Sequence, residues 1–274
     1  MALPLVHESL LNSQRDTLLD LYDTQLRAHV PARLPAGASV EREGPLVRTV
    51  GYGRYGWVEY RDLGDVSEAE LDRLIHAQVA RFTERNEPFE WKFHSHDRPS
   101  FLEERLTAAG FVAEELETVM IAETAALVDG GRTPGVVLRE VRERKDFARI
   151  GEMEAAVWGS DESWYADTFG QELAADPAGL AVFVAEAGVV VVAAGWVRFP
   201  SGTDFATLWG GATLPAWRGR GIYRALVFRR AQLAAERQRR YLEVDASTDS
   251  RPILERLGFL PITQTRPYVW SPSR

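Results

Sequence analysis

The chain has 274 residues and 45% apolar side chains, enough for two domains with real cores and too apolar for a disordered chain. It has no cysteine, which excludes disulfides, thiolate zinc sites and a cysteine nucleophile. The net charge of −8 is uneven: residues 1–130 hold 13 basic and 23 acidic side chains, residues 131–274 hold 19 and 17. Such a balance argues against nucleic acid as the main partner and mildly favours a cationic or amine one, although an acidic surface also serves solubility.

The start, Met1 to Leu11, lacks the basic segment of a secretory signal and carries Glu8 in its apolar run. Gly51-Tyr-Gly-Arg-Tyr-Gly56 matches G-x-G-x-x-G, but strand-like Trp57–Tyr60 follows it, so it reads as a turn between two strands. A helix is predicted over Glu68–Arg85, with Leu71, Leu74, Ile75, Val79 and Phe82 on its apolar side. Ser67 with Glu70 forms its capping box. His94, His96 and Asp97 sit on one strand edge; a metal needs further ligands, His7, His29 and His76 are not obviously near, and no metal is expected. Asp129–Gly135 is dense in turn formers and reads as a linker.

The second half opens with an extended segment, Val136–Val141, and a helix over Asp146–Trp158 striped by Phe147, Ile150, Met153 and Val157. Between Trp158 and Tyr165, aromatic and acidic residues suit an ammonium group, or Asp161 or Ser163 caps the next helix, Trp164–Ala175. Strands follow at Ala181–Glu186, Val189–Phe199 and Phe205–Thr213. The apolar run Leu180–Val197 contains Glu186 and Gly188, which fits two buried strands and a turn better than a membrane span. A soluble cytoplasmic protein is expected, with no membrane partner.

After Thr213 the chain reads Leu-Pro-Ala-Trp-Arg218-Gly-Arg-Gly221-Ile-Tyr223 and enters a helix over Arg224–Arg237. Gly219 and Gly221 can take positive φ and aim several N–H groups at one spot, beside a helix N-terminus and two arginines. That combination suits a pyrophosphate. A strand (Tyr241–Ala246), a short helix (Arg251–Leu257), the turn Gly258-Phe259 and a strand near Tyr268–Trp270 complete the order.

Arg218-Gly219-Arg220-Gly221-Ile222-Tyr223 resembles motif A of the GCN5-related N-acetyltransferases (GNAT), R/Q-x-x-G-x-G/A, except that Tyr223 replaces a small residue and must point away from the phosphates. Ser250–Phe259 resembles the family's second signature, a short helix ending in Gly-Phe. The β-α-α-β-β-β-α-β-α-β order is that of the family. The resemblance implies an α/β fold with a mixed sheet and acetyl-CoA as cosubstrate. It places cofactor contacts at Ala212, Thr213, Leu214, Arg218–Tyr223, Ser247 and Ser250. It makes 158–165 a loop over the acceptor. Leu254 stands where many relatives carry an acidic tyrosine, and Thr207 and Trp209 where some carry a Glu or His. Glu243 and Asp245 remain as candidate bases, unless they are structural, and Tyr223 and Tyr268 as weaker proton donors.

Residues 92–111 align without gaps to 240–259, Gly110-Phe111 falling on Gly258-Phe259. The chain therefore resembles a tandem acetyltransferase of two GNAT-like domains, 1–128 and 136–274. The first copy has Asp62-Leu-Gly-Asp-Val-Ser67 in place of the phosphate loop, and its aspartates would repel phosphate. It is expected to shape the acceptor site instead. The reading is N-acetyl transfer to a small-molecule amine; the alternative is a non-catalytic acyl-CoA sensor. Acceptor identity and oligomeric state stay open.

Overall fold

The computed structural model describes residues 3–127 and 133–272, with side chains from residue 12 onward. Most of the expected linker, Asp129–Gly135, lies outside them. The first half contains α1 (Leu3–Gln25), β1 (Ser39–Glu43), β2 (Leu46–Val50), β3 (Gly56–Tyr60), α2 (Glu68–Arg85), β4 (Phe89–His94), α3 (Leu102–Ala108), β5 (Val112–Ala113) and β6 (Glu117–Glu123). The second contains β7 (Val137–Val141), α4 (Arg144–Trp158), α5 (Tyr165–Ala175), β8 (Leu180–Ala187), β9 (Val190–Arg198) and β10 (Phe205–Thr213). It ends with α6 (Ile222–Glu236), β11 (Tyr241–Ala246), α7 (Arg251–Arg256) and β12 (Leu260–Trp270). No helix among the described residues is long and apolar enough to cross a membrane.

All strands join one mixed α/β sheet. Its path is β1-β2-β3-β4-β12-β6-β11-β10-β9-β8-β7, with β5 beside β12. The two halves exchange their last strands. β6 of the first half pairs antiparallel with β11, from Tyr241↔Glu123 to Ala246↔Thr118. β12 of the second half pairs antiparallel with β4, from Thr265↔His94 to Trp270↔Phe89. At the seam β12 and β6 pair with each other around a bulge at Pro261/Thr263. The final strand is thus eleven residues long rather than the short segment expected at Tyr268–Trp270.

Local signals account for the helices. Ser67 accepts from the Glu70 N–H at 3.3 Å, and Asn86 in the left-handed region closes α2 by donating to Phe82 and Thr83 carbonyls. The stripe Leu71, Ile75 and Phe82 then packs on Val58, Phe89 and Trp91. α6 packs Leu226 and Val227 on Leu242 and Val244, with Leu254 and Phe259 in the same core. Thus α2, α3, α6 and α7 cover one face of the sheet, and α1, α4 and α5 the other. On that second face, among its described side chains, α1 buries Leu18 and Tyr22, four residues apart, against Val119, Ile121 and Tyr241.

The repeat holds in its helix and Gly-Phe turn, but its strands slip. Shifted by the 148 positions that separate Gly110 from Gly258, β4 would fall on 237–242, whereas β11 occupies 241–246. The segment between β4 and α3 is longer than that between β11 and α7, and His96 and Asp97 lie in it, just past His94 at the end of the strand. Asp97 accepts both terminal nitrogens of buried Arg27 at 2.7 Å, and His94 Nε2 meets the Tyr22 hydroxyl at 3.0 Å. These groups tie α1 to β4.

Candidate active site

Helix α6 starts at Ile222, two residues earlier than the sequence predicts, with Gly221 as its N-cap at φ 78°. Gly219 has φ 74°. None of the N–H groups from Gly219 to Arg224 has an acceptor among the described residues. A run of free amides at a helix start, with no side chain folded over it, is an anion cradle. The start of α2 is the opposite case. Ser67 caps it, and the Gly64 N–H is held by Asp62 at 2.7 Å.

The arginines are oriented locally. Arg218 Nε donates to the Thr213 carbonyl at 3.0 Å, and Arg220 lies over the Trp217 ring at 4.5 Å while donating to Ala216. Ile222 points into the core, so only its amide faces the cradle. The Tyr223 ring lies over Gly211, where a Cβ would come within 2.6 Å of it. Tyr223 therefore turns away from the loop, as its bulk demands. Ser247 and Ser250 pair at 3.2 Å opposite it, at the start of α7.

Between cradle and sheet, β10 breaks its register with β9 between Gly210 and Thr213. Gly211 and Ala212 lie in the break, Gly210 and Gly211 at φ 67° and 110°. The Leu214 N–H is taken by the Val192 carbonyl at 2.9 Å, whereas the Thr213 hydroxyl is buried without a partner. The parallel pairing of β10 with β11 stops at Thr207↔Glu243, so the two strands part toward the cradle. Sequence reasoning missed the side chain that holds this break open. Arg230 is 1% exposed and donates to the Trp196 and Trp209 carbonyls at 3.1 and 3.0 Å. Burial lowers its pKa to about 10. Gly195 leaves room for its guanidinium. The available signal was an arginine on the apolar side of a helix.

A cleft of about 1670 Å³ runs from the cradle across the sheet, between α1 and the α4–α5 pair. Glu243 and Asp245 stand on its floor. Asp245 pairs with Lys92 of the first half at 2.6 Å. Glu243 is 6% exposed and has no donor among the described residues; burial and nearby Asp245 push its carboxyl well above the ordinary range. The walls come from both halves. Trp164 stacks on Tyr165 at 3.9 Å, and the Glu154 Oε2 accepts from Trp158 at 2.6 Å. Neither Asp161 nor Ser163 caps α5: Asp161 instead accepts from the Ser163 amide within its own turn. The Gly51–Gly56 turn joins β2 to β3 and reaches α5, Gly53 lying against Thr168.

Tyr268 lies elsewhere. Strand exchange carries it into the first half's core, where its hydroxyl donates to Glu103 at 2.8 Å. It cannot serve the cleft, and Tyr223 is left as the nearer phenol.

Burial also pushes Glu59 and Glu117 on the floor and Glu154 on the wall up to about 7. Unfolded, these groups titrate near 4.5. Between those values these groups bind more protons in the folded chain, so their contribution to stability falls as pH rises from about 4.5 to about 7. Glu59→Gln/Glu117→Gln is expected to melt above wild type at pH 8, by about 2–4 °C for each kcal/mol in a chain of this size. At pH 5 the advantage disappears. Thermal unfolding at both pH values checks it.

Residues 144–259 match the family model described as the acetyltransferase (GNAT) family. No curated protein matches the chain in sequence. Among solved structures, a GCN5-related N-acetyltransferase from Kribbella flavida superposes with a TM-score of 0.65 at 15% identity, over 86% of this chain and 90% of its own. A tandem GNAT protein from the clavulanic acid biosynthesis pathway, solved without AcCoA, gives 0.59 at 15% identity over 96% and 97%. A GCN5-related N-acetyltransferase from Sphaerobacter thermophilus gives 0.59 at 14% identity over 83% and 76%. At these identities the likeness is one of fold.

Proposed function

With residues 144–259 a domain of the GNAT family, we propose that the protein transfers an acetyl group from acetyl-CoA to an amine of a small molecule. One observation carries the reading: a cradle of unpaired amides opens directly into a cleft floored by a buried carboxylate that lacks a donor. The pyrophosphate would lie on the Gly219–Arg224 amides with Arg218 and Arg220 beside it. The pantetheine arm would follow the parting of β10 and β11, where Ala212 and Thr213 can hydrogen-bond it and polarise the thioester carbonyl. In this reading 136–274 binds the cosubstrate. Residues 1–128 do not, and they complete the acceptor cleft.

The acceptor arrives as an ammonium and gives a proton to Glu243, directly or through water, with Asp245 beside it. The free amine nitrogen attacks the thioester carbon. The tetrahedral intermediate collapses, the C–S bond breaks, and the thiolate takes the second proton of the attacking nitrogen, with the Tyr223 hydroxyl, beside Ser250, as the relay. An amide and a free thiol result. Alignment of nucleophile and thioester supplies much of the acceleration. Release of coenzyme A thiol from acetyl-CoA across an amine panel tests the reading. Amine-dependent thiol release is expected. Tight acetyl-CoA binding with no release from any amine would favour the sensor, which the buried Leu254 at the tyrosine position supports.

A further inference from the structure

The floor of the cleft holds more carboxylates than its single lysine can serve. Glu59 on β3, Glu90 on β4 and Glu117 on β6 come from the first half, and Glu243 and Asp245 on β11 from the second. Lys92 is committed to Asp245. The other cation nearby, Arg27, has both terminal nitrogens engaged by Asp97 and Asp23. Glu59, Glu90, Glu117 and Glu243 therefore have neither an ion pair nor a hydrogen-bond donor among the described residues. Burial without a partner holds these carboxyls partly protonated, and a cation placed among them would ionise and pair them.

The opposite wall adds an independent sign. Glu154 of α4 is 2% exposed; one carboxyl oxygen takes the Trp158 N–H, and the other is buried without a partner where it lines the cleft. The stacked Trp164–Tyr165 pair and Trp57 line the same space, and aromatic rings attract ammonium groups. The floor carboxylates are spread over four strands, and among the described residues no three acidic or histidine side chains converge to hold one metal ion. Extended negative charge with aromatic walls fits an extended organic cation.

We propose that the acceptor is a polyamine in the broad chemical sense: one amine is acetylated beside Glu243, and a second cationic group is held on Glu59, Glu90 and Glu117. This deepens the transferase reading and rests on it for the identity of the first amine. The first half, without a cosubstrate cradle of its own, would then act as the specificity element for the charge remote from the reaction.

A matched series tests the inference: octamethylenediamine, octylamine and aminooctanoate share one chain and differ only in the far group. Binding is measured by calorimetry without acetyl-CoA and turnover by thiol release with it, at fixed ionic strength. The diamine should bind at least about tenfold more tightly than octylamine, and aminooctanoate more weakly than either. In Glu59→Gln/Glu117→Gln the diamine's KM should rise about tenfold while kcat stays within about twofold. The melting temperature of the same variant shows that it is folded. Equal use of diamine and octylamine, or an unmoved KM in the variant, overturns the inference and leaves the transferase reading intact. Diamine binding that the variant abolishes, with no thiol release from any amine, supports the cation site and overturns the transferase reading instead.

Discussion

Gly221→Glu is expected to lose acetyl-CoA binding, with affinity falling at least about 100-fold in a calorimetric titration. Two effects add. Any side chain at position 221 must adopt φ 78°, which costs about 1–2 kcal/mol outside glycine. The new carboxylate also sits at the mouth of a cradle whose amides have no acceptor, and it can fold over them as an internal competitor for the phosphates. Gly221→Ala carries the first effect alone and should lose roughly tenfold. The space around the position is open, the nearest atom being the Arg224 guanidinium at 3.8 Å, so a steric collapse does not confuse the result. A folded Gly221→Glu protein that binds acetyl-CoA as wild type does would remove the cradle from the mechanism.

With Glu243 as the proposed base, Glu243→Gln is expected to lower kcat by about 100-fold or more, the usual contribution of a positioned base. The pH profile carries the diagnosis. Burial and the neighbouring Asp245 raise the Glu243 carboxyl well above its ordinary range. A base must be ionised to act, so wild-type kcat/KM climbs as pH rises through that raised value. Gln cannot titrate, and the variant's limb should flatten while a low residual rate persists. A variant that keeps both the rate and the limb assigns Glu243 to structure, with the amine deprotonated before it binds.

Much of the site was legible because it rests on short-range chemistry. Ser67 and Glu70 announced the start of α2 within one turn of helix, and Gly219 and Gly221 announced a loop that needs positive φ. The Gly-Phe turns at 110 and 258 marked the ends of the two short helices. What stayed hidden depends on contacts distant along the chain. Helix α1 buries only two described side chains, too few for a clear stripe. Arg230 looks like any helical arginine until its acceptors, the Trp196 and Trp209 carbonyls, are seen on two other strands. Glu59, Glu90 and Glu117 read as ordinary alternation in half-exposed strands, because nothing local says that their polar face looks into a cleft. Tyr268 went astray for the same reason: its strand resembles the end of its own copy, yet it pairs with β4 of the other.

The exchange of β6 and β12 has a consequence for biosynthesis. As the polypeptide leaves the ribosome, β4 has no neighbour on its seam side until residues 260–270 emerge, and β6 waits for β11. The N-terminal half, though synthesised first, cannot finish folding first, so an unpaired strand edge stays open to stray association through most of translation. Lys92, itself on that waiting edge, forms its bridge only when Asp245 arrives late. The half that carries the cradle thus depends on the other for the strand beside β11, and removing residues 1–127 would bare that edge.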